Sequence, residues 1–131
     1  HAYEAVTIMK ILYLSILGAA GTIARYWLGG YVQRLSGNVF PWGTFVVNMA
    51  GCLLFGIVWS AAGERIPMSD ETRRILLIGF MGAFTTFSSF MFDTVNLMHG
   101  GEWSYAAANL ILQNITGIVL IFLGIAIGRM L

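Results

Sequence analysis

Charge is the scarcest thing in this sequence. Only 10% of its 131 residues are Asp, Glu, Lys or Arg, whereas a soluble domain carries about 25%. The chain cannot cover a water-facing surface. Seven basic residues against six acidic ones leave a net charge of +1, which gives no field to recruit nucleic acid. The single cysteine, Cys52, lies in an apolar run; it excludes an intrachain disulfide and reads as a small buried hydrophobe. His99 is the only histidine besides His1. No zinc-ligand cluster, serine–histidine–acid set or nucleotide-phosphate loop can be assembled, so the sequence does not read as an enzyme.

What is abundant is apolar. Hydrophobic residues make up 58% of the chain and the mean hydropathy is +0.80. The length allows one domain. Residues 1–8 (HAYEAVTI) precede Met9-Lys10 and read as an appended segment, leaving 9–131 as the domain. Within it four stretches, about 11–32, 42–62, 75–98 and 103–128, each approach the ~20 residues needed to cross ~30 Å of hydrocarbon. The expected fold is all-α, with four transmembrane helices per protomer, because each helix satisfies its own backbone as a bilayer demands. Polar joints separate the spans: Gln33 to Asn38 with Gly37 as breaker, Gly63-Glu64-Arg65, and His99-Gly100-Gly101-Glu102. Ser69-Asp70-Glu71-Thr72 reads as a helix start, with Ser69 as N-cap and two acids in the first turn. Trp27, Trp42, Trp59 and Trp103 fall near span ends, as interfacial tryptophans do. Lys10, Arg65, Arg73, Arg74 and Arg129 share one side against Arg34 on the other, which places both termini in the cytoplasm.

Several polar residues are more than a bland bundle needs. Arg25 lies fourteen residues into the first span, roughly 21 Å along a helix. It either snorkels to the headgroups or faces a water-filled vestibule, where its charge would suit an anion. Asn48 is the one strongly polar side chain in the middle of the second span, and a hydrogen bond to a neighbouring helix would account for it equally well. Residues 82–90 (GAFTTFSSF) put four hydroxyls and three phenylalanines inside the third span. Hydroxylated and β-branched residues beside Gly79 and Gly82 weaken a helix, so a break is expected mid-membrane. Such breaks occur where freed carbonyls line a cavity or hold an ion, although a packed aromatic stripe is the commoner reading. Asn109, Gln113 and Thr116 share one face of the fourth span, at spacings of four and three, as a buried seam or a pore wall would. Asp93 is the only acid within the spans.

Three motifs in order, Gly-x-x-Ala-Arg at 21–25, Gly-Thr-x-x-Val-Asn at 43–48 and Thr-Thr-Phe-Ser-Ser-Phe at 85–90, resemble those of the Fluc/CrcB family of small fluoride channels. The likeness runs from Met9 to the C-terminus. It implies a dual-topology homodimer of antiparallel protomers with two fluoride pathways along the subunit interface. By that resemblance Phe87 and Phe90 line each pathway and Asn48 hydrogen-bonds the ion with Thr44 near it; Ser88 adds a hydroxyl, and the polar track of the fourth helix is expected here at Asn109, Gln113 and Thr116. Arg25 would sit toward the vestibule or the dimer scaffold. Backbone carbonyls of Gly82 and Thr85 from both subunits would hold a structural Na+ at the interface. The resemblance also implies a bacterial inner membrane and passive export of fluoride from the cytoplasm.

The physics is compatible. Fluoride sheds a costly hydration shell, so a pore must replace water with N–H and O–H donors. Phenylalanine edges are positive because the ring quadrupole is negative on its faces. They can touch an anion without holding it too tightly for conduction. Two departures stand out: the serine or threonine track usual in the family's fourth helix falls near Gly117 and Ile121, and the five-to-one basic bias is lopsided for a dual-topology protein. The alternatives are a proton-coupled small multidrug-type transporter, which would need Asp93 to face a cavity, and a non-transporting assembly subunit, which leaves 85–90 unexplained.

Overall fold

The structure, a computed structural model, describes residues 1–37, 39–62 and 65–131. Asn38, Gly63 and Glu64, expected in the joints, lie outside them. The chain is all-α, and four helical spans are long and apolar enough to cross a membrane. Helix α1 covers Ala2–Ser36, roughly 52 Å at 1.5 Å per residue. It overruns the 11–32 stretch at both ends, because nothing before Gly37 interrupts helical hydrogen bonding. Gly37 ends it with a positive φ of 94°, a conformation glycine adopts without a Cβ clash. Helix α2 is Trp42–Ala61. Gln33 stitches the joint between them, donating to the carbonyls of Gly37 and Phe40 and accepting from the Gly43 N–H.

The third span is built in pieces. Helix α3, Asp70–Leu76, is capped by Ser69, whose hydroxyl accepts from the Thr72 N–H at 3.1 Å. The helix therefore starts at its cap, five residues before the apolar stretch at 75. A π-helical turn, Leu77–Met81, follows, then the short α4, Gly82–Phe84. Thr85 and Thr86 have extended dihedrals, with ψ of 158° and 109°. Helix α5, Phe87–His99, resumes under a Thr86 cap, and α6 is Trp103–Met130.

Packing relies on glycine. Helices α2 and α6 make the most extensive contact, with Gly56, Gly124 and Gly128 at the crossing. A Cβ on Gly124 would strike the Leu53 carbonyl, and one on Gly128 the Ser60 hydroxyl. Without a hydrophobic drive between helices in lipid, such close backbone approach supplies the dispersion contact that holds them. The buried core is Val47, Leu77, Met81 and Phe84, flanked by Ala24, Leu28 and Phe80. The outer faces are apolar instead: Ile23, Ile78, Ile118 and Phe122 are all exposed. A water-soluble fold would not leave so much apolar area open; a membrane protein must. At one end of the bundle Lys10 pairs with Glu71, Arg73 pairs with Asp70 at 2.8 Å and stacks on Trp59, and Arg65 donates to the Arg129 carbonyl at 3.0 Å.

Candidate functional site

The extended pair Thr85–Thr86 is held by α2. Asn48, buried in the middle of that helix, reads the Thr86 backbone like a strand partner. The Thr86 N–H donates to Asn48 Oδ1 at 2.8 Å, and Asn48 Nδ2 donates back to the Thr86 carbonyl at 3.1 Å. Thr86 Oγ1 in turn accepts from the Ser89 N–H at 3.2 Å, capping α5. Room for the break comes from Gly51, one turn along α2, where a Cβ would collide with the Thr85 methyl. Asn48 also donates to Gln113 Oε1 on α6 at 3.2 Å. Both of its N–H groups are therefore spent within the protein. Gln113 is 6% exposed, and its Nε2 has no hydrogen-bond partner. A buried amide donor without an acceptor costs about 1–3 kcal/mol, so its presence asks for a reason.

That reason lies in the groove beside it. A cleft of about 300 Å³ is walled by Asn48, Thr86, Phe87, Phe90, Gln113 and Asn114, with Cys52 at its side. Phe87 is 72% exposed and Phe90 only 5%. Their ring centroids are 5.8 Å apart at 80°, edge to face, and both rings line the cleft. A second, wider cavity of about 960 Å³ opens on the α1–α2 side and contains Arg25, Thr44, Ser89 and Asp93. There the Thr44 hydroxyl donates to Asp93 Oδ2 at 2.7 Å. Thr86 lines both cavities, so the extended pair is the partition between the wide chamber and the narrow cleft.

The expected site residues thus fall into three places. Asn48, Phe87, Phe90 and Gln113 meet in the narrow cleft, and Arg25 and Thr44 share the wide chamber. Gly82 and Thr85 line a third groove of about 410 Å³ beside Trp59 and Arg74. Ser88 is exposed, its hydroxyl 3.5 Å from that of Thr86. Thr116 is half-buried and not in the cleft wall; the neighbouring Gly117 faces α2 against Cys52 and Met49. Asn109, expected on one seam with Gln113 and Thr116, is fully buried, and Thr86 joins the site without a role in the sequence reading. A threonine three residues before Ser89 carries the signal of an N-cap, but nothing in the sequence pairs it with Asn48, thirty-eight positions away.

Four apolar spans around a cleft lined by amide, hydroxyl and phenylalanine side chains define a small multi-pass membrane protein. The chain belongs to the CrcB family: residues 12–125 match the family described as CrcB-like protein, Camphor Resistance. It is similar to proteins named fluoride-specific ion channel FluC. The one from Solidesulfovibrio magneticus is 49% identical over 122 residues, 93% of this chain and 98% of the relative. The one from Nitrosococcus oceani shows the same identity and coverage. The one from Magnetococcus marinus is 36% identical over 94% of this chain and the whole of the relative.

Proposed function

We propose that this protein is a fluoride-selective channel that lets fluoride leave the bacterial cytoplasm down its electrochemical gradient. The observation that carries the reading is the unpartnered Gln113 amide on a cleft edged by Phe87 and Phe90. The names of its relatives supply the ion. Hydrogen fluoride enters neutral and dissociates inside; an open path then drains the trapped anion. Fluoride enters by the wide chamber, where the Arg25 guanidinium offsets the Asp93 and Glu102 carboxylates. It passes Thr44, whose hydroxyl proton is held by Asp93, and the Thr86 partition, then exchanges water for the Gln113 N–H and the ring edges. Asn48 works on that route as the anchor that fixes Thr86 and aims Gln113. Weak, successive contacts of this kind let an ion in and also let it go.

The same reading includes an antiparallel homodimer in the inner membrane, with a structural Na+ between protomers. The backbone fits such an ion. The Thr86 N–H, which would close the helical bond to the Gly82 carbonyl, goes to Asn48; the Ser89 N–H, which would serve the Thr85 carbonyl, goes to the Thr86 hydroxyl. Both oxygens lose their helical donors, the two residues line one groove, and neutral carbonyl oxygens suit a hard cation. Its contribution would be to hold the two breaks together.

Expression in a bacterium lacking its own fluoride exporter tests the function. Growth in fluoride returns if the reading is right; unrescued growth with the protein present in the membrane contradicts it. One observation favours a second reading: Asp93 faces the wide chamber, as a proton-coupled carrier would need. Uptake of an organic cation driven by a pH gradient, and lost in Asp93→Asn, would establish that carrier instead.

A further inference from the structure

Two buried polar atoms lack partners among the described residues, Gln113 Nε2 and Asn109 Oδ1. They are one helical turn apart on α6, within the reach at which a glutamine and an asparagine side chain hydrogen-bond. Their polarity is fixed by the bonds around them rather than assigned at will. Thr94 Oγ1 donates to the Phe90 carbonyl at 2.8 Å, so it must accept from Asn109 Nδ2 at 3.0 Å, which leaves the Asn109 oxygen free. Asn48 is oriented by the Thr86 backbone, so Gln113 must meet it with Oε1, which leaves the Gln113 N–H groups free. A buried chain of bonds therefore runs from Phe90 through Thr94 to Asn109, and another from Gln113 through Asn48 to Thr86. One gap separates them, with an unpaired acceptor on one side and an unpaired donor on the other. Asn109 is 0% exposed and does not line the cleft, whereas Gln113 does.

We propose that Asn109 is a positioning residue whose carbonyl oxygen is the resting acceptor for the Gln113 amide and competes with the anion for it. This rests on the reading of the cleft as the fluoride path. When no anion is near, the Gln113 side chain turns its N–H toward Asn109 Oδ1 and closes the gap. When fluoride arrives, the same N–H swings to the ion while Oε1 keeps its bond to Asn48. Because Oε1 stays on Asn48, the amino group pivots as a whole, so the anion must draw both N–H groups away from Asn109, which weakens its hold and speeds its departure. Both ends of the bonded chain reach the aromatic pair, at Thr86 beside Phe87 and at the Phe90 carbonyl, so the switch sits where the ring edges act.

The test is the fluoride dependence of initial efflux from liposomes containing the purified full-length protein, for wild type, Asn109→Leu and Asn109→Ser. Leucine removes the acceptor; serine is too short to reach Gln113 and serves if the leucine variant fails to assemble. The half-saturating fluoride concentration should fall roughly threefold, the worth of one average intramembrane hydrogen bond, while the maximal rate also falls because the ion leaves more slowly. In a Gln113→Met background the same substitutions should shift nothing. A purely structural Asn109 would lower the rate equally at every concentration, with an unchanged half-saturation; that result overturns the proposal, as would a permanent bridging water, which gives the same unchanged value. Absence of fluoride efflux in wild type would instead overturn the channel reading on which it rests.

Discussion

Replacing Asn48 by leucine strips the Thr86 N–H and carbonyl of their partners at once, and Gln113 Oε1 with them. Each buried group left unpaired costs about 1–3 kcal/mol, so Asn48→Leu should lower thermal stability in detergent markedly as well as fluoride flux. Gln113→Met is the contrasting case. It leaves the Asn48–Thr86 clamp whole and removes an unpartnered amide donor from a residue that lines the cleft. A hydrogen bond to a charged group is worth about 1.5–3 kcal/mol, so efflux should fall roughly ten- to a hundredfold while the melting temperature stays close to wild type. Measuring both variants by efflux and by thermal unfolding separates the anchor from the donor. The sequence marked both residues as polar intruders in apolar spans. It could not say that the amide of Asn48 is consumed by the backbone, because that follows from a contact across thirty-eight positions and not from any local pattern.

The third span is where elements and function meet. A continuous helix there would satisfy the Thr86 N–H internally and leave Asn48 without its backbone partner. The break persists because α2 offers both an amide to pair with it and, at Gly51, the space to seat it. Gly51→Val should therefore push the Thr85 segment outward, cost about 1–3 kcal/mol of overpacking and abolish fluoride flux, read by thermal unfolding and by efflux respectively. Thr86→Val removes the α5 cap at similar volume and should cost about 1 kcal/mol, measured the same way. Span positions were legible from hydropathy alone, but their ends were not. Helix α1 runs to Ser36 and α3 begins at Asp70, since backbone hydrogen bonding ends at a cap or a glycine while hydropathy ends at the first polar residue. The Ser69 cap was readable because its signature is local. The π turn at Leu77–Met81 had no such sign; Gly79 within it comes close to Leu17 of α1, a contact no local pattern announces.

At the scale of the whole molecule, the protomer buries polar groups and exposes apolar ones, the reverse of a soluble domain. Phe87, mostly exposed beside the buried Phe90, leaves the cleft open along one side, and a second copy in the proposed dimer would close it. If Na+ joins the two breaks through the Gly82 and Thr85 carbonyls, exchanging sodium for N-methylglucamine should shift the purified protein from dimer toward monomer on size-exclusion chromatography. An unshifted dimer would argue against the ion. The fourth span was only half legible: Asn109 and Gln113 lie on one buried stripe as their spacing suggests, but Thr116 is half-buried outside the cleft wall while Gly117 packs on Cys52 and Met49, because the α2–α6 crossing sets which edge of the stripe faces inward. The central claim is that fluoride crosses beside Phe87, Phe90 and Gln113. Its most direct test is fluoride efflux from liposomes holding the purified protein, followed with a fluoride-selective electrode in the presence of valinomycin. The account predicts rapid release in wild type without matching chloride release, slowed by Phe87→Ile or Phe90→Ile; no release from well-folded wild-type protein, or release indifferent to both phenylalanines, would contradict it.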